Sequence, residues 1–199
     1  MYDERGNLSK ETNPWGQSTS YQYDAWNRPI KVTDYLGKSL RTTYGANGSK
    51  YNIRSDSDDD SYTSETYNAL GWLLESEAST ALGATAVRYE YDALGRAIGK
   101  SEPFAAGGSP QGWTRTEYDR YGRPVQVITA HGKTIRTSYD GLKTTVDDGT
   151  KQITTTQNAI GKTISQQDTG GTIKYTYFGN GALKTANYEG VEQKITQDG

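Results

Sequence analysis

The chain has 199 residues, 32% of them hydrophobic, with a formal net charge of -2 and a pI near 5.5. Sixteen tyrosines and four tryptophans stand against two phenylalanines and one methionine, so the apolar surface is mostly tyrosine, and a thick oily core is excluded. The charge balance is too small for intrinsic disorder, and scattered Lys and Arg exclude nucleic acid as the main partner.

No apolar stretch approaches a membrane span, and no N-terminal segment reads as a signal peptide, so any export signal is expected outside this chain. With no cysteine there are neither disulfides nor thiolate metal sites, and the redox compartment is not determined.

Taken in chain order, one pattern recurs. Tyr2-Asp3 leads to Gly6-Asn7, Tyr23-Asp24 to Asn27-Arg28, Tyr91-Asp92 to Gly95-Arg96, and Tyr118-Asp119 to Gly122-Arg123. Looser copies begin at Tyr44, Tyr67, Gln157 and Tyr177, reaching Gly48, Gly71, Gly161 and Gly181, and a divergent copy begins at Tyr139-Asp140. The anchors lie 18 to 27 residues apart, most often 21. A period near twenty without a composition break predicts a single array of about nine small supersecondary units over residues 1–199.

Each unit reads as strand, turn, strand, turn. Between Tyr118 and Tyr139 the chain turns at Tyr-Asp-Arg-Tyr-Gly-Arg and runs extended over Pro124–Thr129. It turns again at His131-Gly132-Lys133 and returns over Thr134–Tyr139. Ile135 and Thr137 share a face with Tyr139, the period of two expected of a sheet with one buried face. Ile30 with Val32, Leu40 with Thr42 and Tyr44, and Ile173 with Tyr175 and Tyr177 alternate likewise.

The residue four after the anchor is glycine in seven of nine copies and Asn27 in an eighth, the residue types that accept positive φ. The Asp beside the anchor accepts N–H groups one or two residues on. Asp140-Gly141 predicts a two-residue hairpin, and Leu36-Gly37, His131-Gly132, Asp148-Gly149, Gly170-Gly171 and Glu189-Gly190 mark the second turns. Ser55–Ser61, Ser79–Thr85 and Pro103–Gly112 break the spacing and are predicted to be loops that lengthen second turns, the places where a partner would be gripped.

Tyr23-Asp24-Ala25-Trp26-Asn27-Arg28-Pro29-Ile30, Tyr91–Ile98 and Tyr118–Val125 resemble the YD repeat of the Rhs family, which teneurins and insecticidal toxin-complex shells share. Gly45, Asn68 and Phe178 replace the Asp and Gln157 replaces the Tyr, and the Tyr139 copy diverges further. The resemblance implies an all-β antiparallel strip of repeated hairpins, solenoid-like. The resemblance further implies that this strip is part of a hollow, secreted or cell-surface shell wound around the C-terminal toxin or other cargo of the same polypeptide. The chain lacks the Asp-Pro-rich motif that typically precedes the released segment and stops at Gln197-Asp198-Gly199 within a repeat, so an excised wall fragment is expected.

Candidate chemistry is sparse. Asp3, Asp24, Asp92 and Asp119 recur because the turn recurs, and no unique carboxylate pair marks a glycosidase cleft. His131, the sole histidine, lies in a predicted turn. Asp56, Asp58 and Asp60 alternate as calcium ligands do, but Ser61 and Tyr67 occupy the positions where an EF-hand needs Gly and Glu, so a solvated loop is the expectation. Gly37-Lys38-Ser39, Gly132-Lys133-Thr134 and Gly161-Lys162-Thr163 lack the upstream glycine of a phosphate loop. Asn7-Leu8-Ser9 and Asn47-Gly48-Ser49 match the glycosylation sequon, which acts only in a eukaryotic secretory host.

Trp15, Trp26, Trp72 and Trp113 offer stacking platforms for sugars, though packing between units is favoured. The reading is therefore a non-enzymatic structural segment with no catalytic residue, metal or cofactor. Its site residues are the repeat turns: Tyr2, Asp3 and Gly6; Tyr23, Asp24, Asn27 and Arg28; Tyr91, Asp92, Gly95 and Arg96; Tyr118, Asp119, Gly122 and Arg123. A glycan- or cell-surface-binding module is the alternative, and self-association through open sheet edges is expected of a strip.

Overall fold

The computed structural model describes residues 1–80 and 82–195. Ala81, inside one expected loop, and the Gln197-Asp198-Gly199 terminus lie outside the described residues. The described residues form nineteen strands and no helix, hence none long and apolar enough to cross a membrane. The chain divides into two compact units, Met1–Trp113 and Thr114–Gly199.

The first unit holds β1 (Lys10–Thr12), β2 (Ser18–Tyr23), β3 (Pro29–Thr33), β4 (Ser39–Asn47) and β5 (Lys50–Ser57). It continues with β6 (Tyr62–Asn68), β7 (Leu73–Thr80), β8 (Gly83–Tyr91), β9 (Ala97–Ser101) and β10 (Phe104–Ala105). From β1 to β9 each strand pairs antiparallel with the next, and β10 runs alongside the start of β8, Phe104 opposite Ala86.

The second unit holds β11 (Trp113–Tyr118, its first residue counted with the first unit), β12 (Pro124–Ile128), β13 (Thr134–Asp140), β14 (Lys143–Asp147) and β15 (Gln152–Gln157). After these come β16 (Thr163–Asp168), β17 (Gly171–Tyr177), β18 (Leu183–Tyr188) and β19 (Val191–Lys194), again a meander of neighbours.

Alternation sets two unlike faces. In the first unit Tyr21 lies opposite Val32 and Val32 opposite Leu40, so the anchor-tyrosine face gathers Tyr, Val, Ile and Thr. The other face is charged: Arg54 reaches Asp56 at 2.8 Å and lies 3.7 Å from the centre of the Tyr62 ring, Tyr62 donates to Glu77, and Arg88 meets Glu75. The alternation is present, but neither face is buried. Among the described residues only Ala86, 1% exposed, and Phe104, 8% exposed, are buried apolar side chains. An apolar stripe is buried only when a second layer covers it, and here cohesion falls to the ladders and to polar and aromatic contacts between neighbouring strands.

The three expected loops are corrected. Ser55–Ser57 belongs to β5, leaving a short turn before Tyr62. Thr80 pairs with Gly83, so Ser79–Thr85 is the tip of a tight hairpin and its flanks are strand. Pro103–Gly112 contains β10, because Phe104 has a groove beside Ala86 and the Arg88 guanidinium, 4.9 Å from its ring centre. The expected Asp140-Gly141 hairpin is shifted by one residue: Asp140 pairs with Lys143 and Gly141-Leu142 make the bend, with Gly141 at φ 56°. Positive φ at the first of two central residues is what a tight primed turn requires.

Candidate functional site

The recurring turn has one construction. In Asp24–Arg28 the Asn27 N–H donates to the Asp24 carbonyl and the Asp24 N–H to the Arg28 carbonyl, closing a three-residue loop with Asn27 at φ 62°. That geometry leaves the Arg28 N–H without its ladder partner. The Asp24 carboxylate accepts it at 3.0 Å, together with the Trp26 N–H at 2.9 Å. The other carboxylate oxygen takes the Arg28 guanidinium through two N–H groups, both at 2.7 Å. Asp92 with Leu94 and Arg96, and Asp119 with Tyr121 and Arg123, repeat each of these contacts within 2.6–3.0 Å. Asp3 serves Arg5 and Asn7 the same way, the Asn7 amide replacing the guanidinium. Gly6, Gly95 and Gly122 occupy the left-handed position at φ 84°, 80° and 79°.

These contacts hold the carboxylates in their charged form. For Asp24, Asp92 and Asp119 burial works against ionisation, but the Arg N–H and guanidinium and the second turn N–H outweigh it, and all three are displaced below their ordinary value. At Asp3 the Asn7 side-chain amide is the leading cause of the same shift. A carboxylate tied to its own turn is a poor general acid or base, since its proton affinity and its lone pairs are already committed.

Both ends of the meander use this turn. Asp34 accepts from Leu36 and Lys38, and Asn13, Asn68 and Asn158 do likewise in their own turns. The Asn13-Pro14-Trp15-Gly16-Gln17 turn escaped the sequence reading, although Asn followed three residues later by Gly signals it. Tyr44 stands apart: its strand continues to Asn47, and Gly48-Ser49 form a two-residue bend.

The turns are joined by the anchor tyrosines. Tyr23 donates its hydroxyl to the carbonyl of Leu8, Tyr44 to Pro29, Tyr91 to Leu73, Tyr139 to Pro124 and Tyr177 to Thr163, all within 2.7–3.0 Å. In every case the acceptor is the residue six past the preceding anchor, directly opposite that anchor in the bulged ladder. In four of the five the residue one position earlier covers the donor's ring. The Arg28 guanidinium carbon is 4.1 Å from the centre of Tyr44 and that of Arg123 4.1 Å from Tyr139, Lys162 lies 5.6 Å from Tyr177, and Trp72 packs against Tyr91 at 5.4 Å with the rings tilted by 39°. The Asp24 and Asp119 turns thus clamp their own arginine and present it to the next anchor. Tyr67 follows the divergent Tyr44 copy and instead donates to Glu65 at 2.7 Å and stacks on Tyr51 at 4.9 Å; that bond to Glu65 pushes its hydroxyl up to about 12.

The remaining candidates are not brought together. His131 sits in the Thr129–Lys133 turn, far along the chain from the Asp-rich run. Asp56 pairs with Arg54, whereas Asp58 meets Arg41 and the Ser39 N–H, and no cluster of three metal-ligating side chains occurs among the described residues. Gly37, Gly132 and Gly161 lie in turns. Trp72 packs between repeats, whereas Trp15 and Trp26 are 83% and 76% exposed.

Residues 2–37 match the RHS Repeat family model. Over those residues the chain is similar to an RHS repeat. The turn and latch seen within residues 2–37 recur beyond Thr114. The fold is similar to that of a chain in the crystal structure of TcdB2-TccC3-Cdc42, with a TM-score of 0.53 at 16% identity, covering 100% of this chain and 14% of that one. A crystal structure of TcdB2-TccC3 without its hypervariable C-terminal region gives a TM-score of 0.53 at 16% identity, over 100% of this chain and 13% of the other. This chain thus spans about a seventh of the length of the proteins whose fold it is similar to. No curated protein matches the sequence.

Proposed function

We propose that this chain is a wall segment of an Rhs-type shell that encloses the C-terminal toxin or other cargo of its parent polypeptide, a secreted or cell-surface protein. The observation that carries the reading is the latch. The same Tyr hydroxyl-to-carbonyl bond recurs from repeat to repeat, and the charged groups in the turns are spent on fixing backbone. An array that repeats one mechanical joint suits containment, and its turn carboxylates are committed to backbone, which supports a scaffold role. The single array of about nine repeats and the structural role of the turn residues belong to the same proposal, supported by the sequence period, which runs from one unit into the next.

Limited proteolysis of the parent polypeptide tests it. The C-terminal segment is expected to resist protease while the shell is intact and to be digested once the wall is loosened by the double change Asp92→Ala and Asp119→Ala. Digestion at the same rate in both proteins would contradict containment, and turnover of a polysaccharide or peptide panel by this chain would contradict the scaffold reading.

A further inference from the structure

Two anchor tyrosines, Tyr44 and Tyr139, lead into a two-residue bend, and the two hairpins differ in length. In the second unit Tyr139 lies opposite Thr144, and one further pair, Asp140 with Lys143, precedes the bend. In the first unit Tyr44 lies opposite Ile53, and three further pairs follow: Gly45 with Asn52, Ala46 with Tyr51, and Asn47 with Lys50. Relative to the Tyr139 hairpin, β4 is therefore extended by Gly45-Ala46 and β5 by Tyr51-Asn52. The latch does not require the extension, since Tyr44 bonds to Pro29 as Tyr139 bonds to Pro124. Those four added residues line a cleft of about 660 Å³ with Trp26, Arg28, Tyr44 and Ile53, a size typical of small-ligand sites. A unique cleft built where an otherwise regular array breaks its own rule marks a site of function.

The register gives the cleft its shape. Tyr44, Ala46, Tyr51 and Ile53 share one face, and Ala46, the smallest, forms the floor. On the β5 side Tyr51 stands beside Ala46, its far face covered by Tyr67 at 4.9 Å with the rings 11° from parallel. On the other side, in the turn before β3, Trp26 stands 76% exposed beside the Arg28 guanidinium, 5.1 Å from its ring centre. The two walls are two strand spacings apart, on the order of 10 Å. A flat ring touching both would need about 7 Å, so the slot suits a thicker, saturated ring. The polar side-chain groups at its rim are donors: the Trp26 indole N–H and the guanidinium N–H groups that Asp24 does not take have no acceptor among the described residues. The side-chain acceptors nearby are committed. Both Asp24 oxygens hold the turn and Arg28, and Asn52 points to the opposite face, where its amide donates to Ser64.

We propose that this cleft binds a proline-rich peptide segment in the extended polyproline conformation, with one proline ring seated over Ala46 between Trp26 and Tyr51. Its backbone carbonyls accept from the Arg28 guanidinium and the Trp26 indole. Such a segment matches the slot in both respects. Its rings are saturated, and its prolines carry carbonyl acceptors without N–H donors. Its conformation is also set before binding, so little entropy is lost in an aromatic groove. A saccharide offers saturated rings too, but each hydroxyl is a donor that needs an acceptor as well, and the rim supplies donors. The site stands whether or not the parent shell contains a cargo.

Heteronuclear NMR titration of the full chain with acetylated, amidated hexaproline tests this, with hexaglycine and cellohexaose as the competing probes. Hexaproline is expected to saturate the Trp26 indole N–H and Ala46 amide shifts and to leave the indole signal of Trp15, 83% exposed on another turn, in place. Ala46→Leu fills the slot from its floor and Trp26→Ala removes one wall, so each weakens hexaproline binding at least tenfold. Both positions are exposed, and circular dichroism checks that the fold is kept. Deleting Gly45-Ala46 together with Tyr51-Asn52 shortens the hairpin to the length of the one at Tyr139 and abolishes binding, whereas Trp15→Ala leaves the affinity unchanged. Absence of saturation with hexaproline, equal binding of hexaglycine, tighter binding of cellohexaose, or affinity retained in Ala46→Leu would each overturn the proposal.

Discussion

At the scale of single residues, most of the chemistry in this chain is spent on its own backbone. The Tyr91 and Tyr139 hydroxyls each make one bond to a carbonyl of the preceding repeat. Changing either to phenylalanine keeps the ring and its Trp72 or Arg123 neighbour, so the loss is that of one hydrogen bond, about 1 kcal/mol in urea denaturation. The same change at Tyr121, an exposed turn tip, leaves stability within about 0.5 kcal/mol. The glycines separate two effects. Gly122 and Gly95 share the left-handed conformation, and alanine at Gly122, where a Cβ meets nothing within 4 Å, costs only the backbone strain of about 1–2 kcal/mol. At Gly95 a Cβ would come within 2.9 Å of the Trp72 ring, which is held against Tyr91, so Gly95→Ala destabilises more than Gly122→Ala by the same measurement. Equal losses would mean that the Trp72–Tyr91 joint is not formed.

At the scale of the element, the turn carboxylates give the fold an acid limit. The carboxyl groups of Asp3, Asp24, Asp92 and Asp119 all fall below the ordinary value of 3.8 in the folded chain. A carboxylate with a depressed folded value stabilises fully above its unfolded value and loses that contribution as pH drops through the folded one. The melting temperature is therefore expected to be flat from pH 7 to about 5 and to fall as pH is lowered through 4, and Asp92→Asn with Asp119→Asn flattens part of that fall. Much of this element was legible in the sequence, because a Tyr-Asp dipeptide with Gly or Asn at a fixed distance states the positive-φ requirement of the turn and the acceptor that completes it. The tyrosine latch was not, since it joins residues 14 to 18 positions apart across a ladder whose bulge appears only in the register. Likewise, alternation in β13 shows which side chains share a face but not whether another layer covers them, and so the expected buried face is open. Deleting residues 23–43, which joins Gln22 to the next anchor Tyr44, is expected to lower the urea midpoint less than Gly95→Val, because the deletion preserves the meander while the valine breaks a joint.

At the scale of the whole molecule, stability is expected to be shared among neighbouring repeats and not concentrated in a core, because two buried apolar side chains among the described residues are far fewer than a centred core needs. Such an array tolerates divergent copies, as at Tyr44, where a two-residue bend replaces the turn and Tyr51–Tyr67 stacking replaces the latch. The carboxylates of Asp24, Asp92 and Asp119 close turns, and the lone histidine, His131, lies in another that the Thr129 hydroxyl completes. Native-state hydrogen exchange, resolved residue by residue, tests this most directly. The N–H groups bound by the turn carboxylates, those of Arg28, Arg96 and Arg123, are expected to be protected in every repeat, with neighbouring repeats opening at similar free energies. Protection confined to one stretch, with these three amides exchanging freely, would contradict the scaffold of equivalent latched turns.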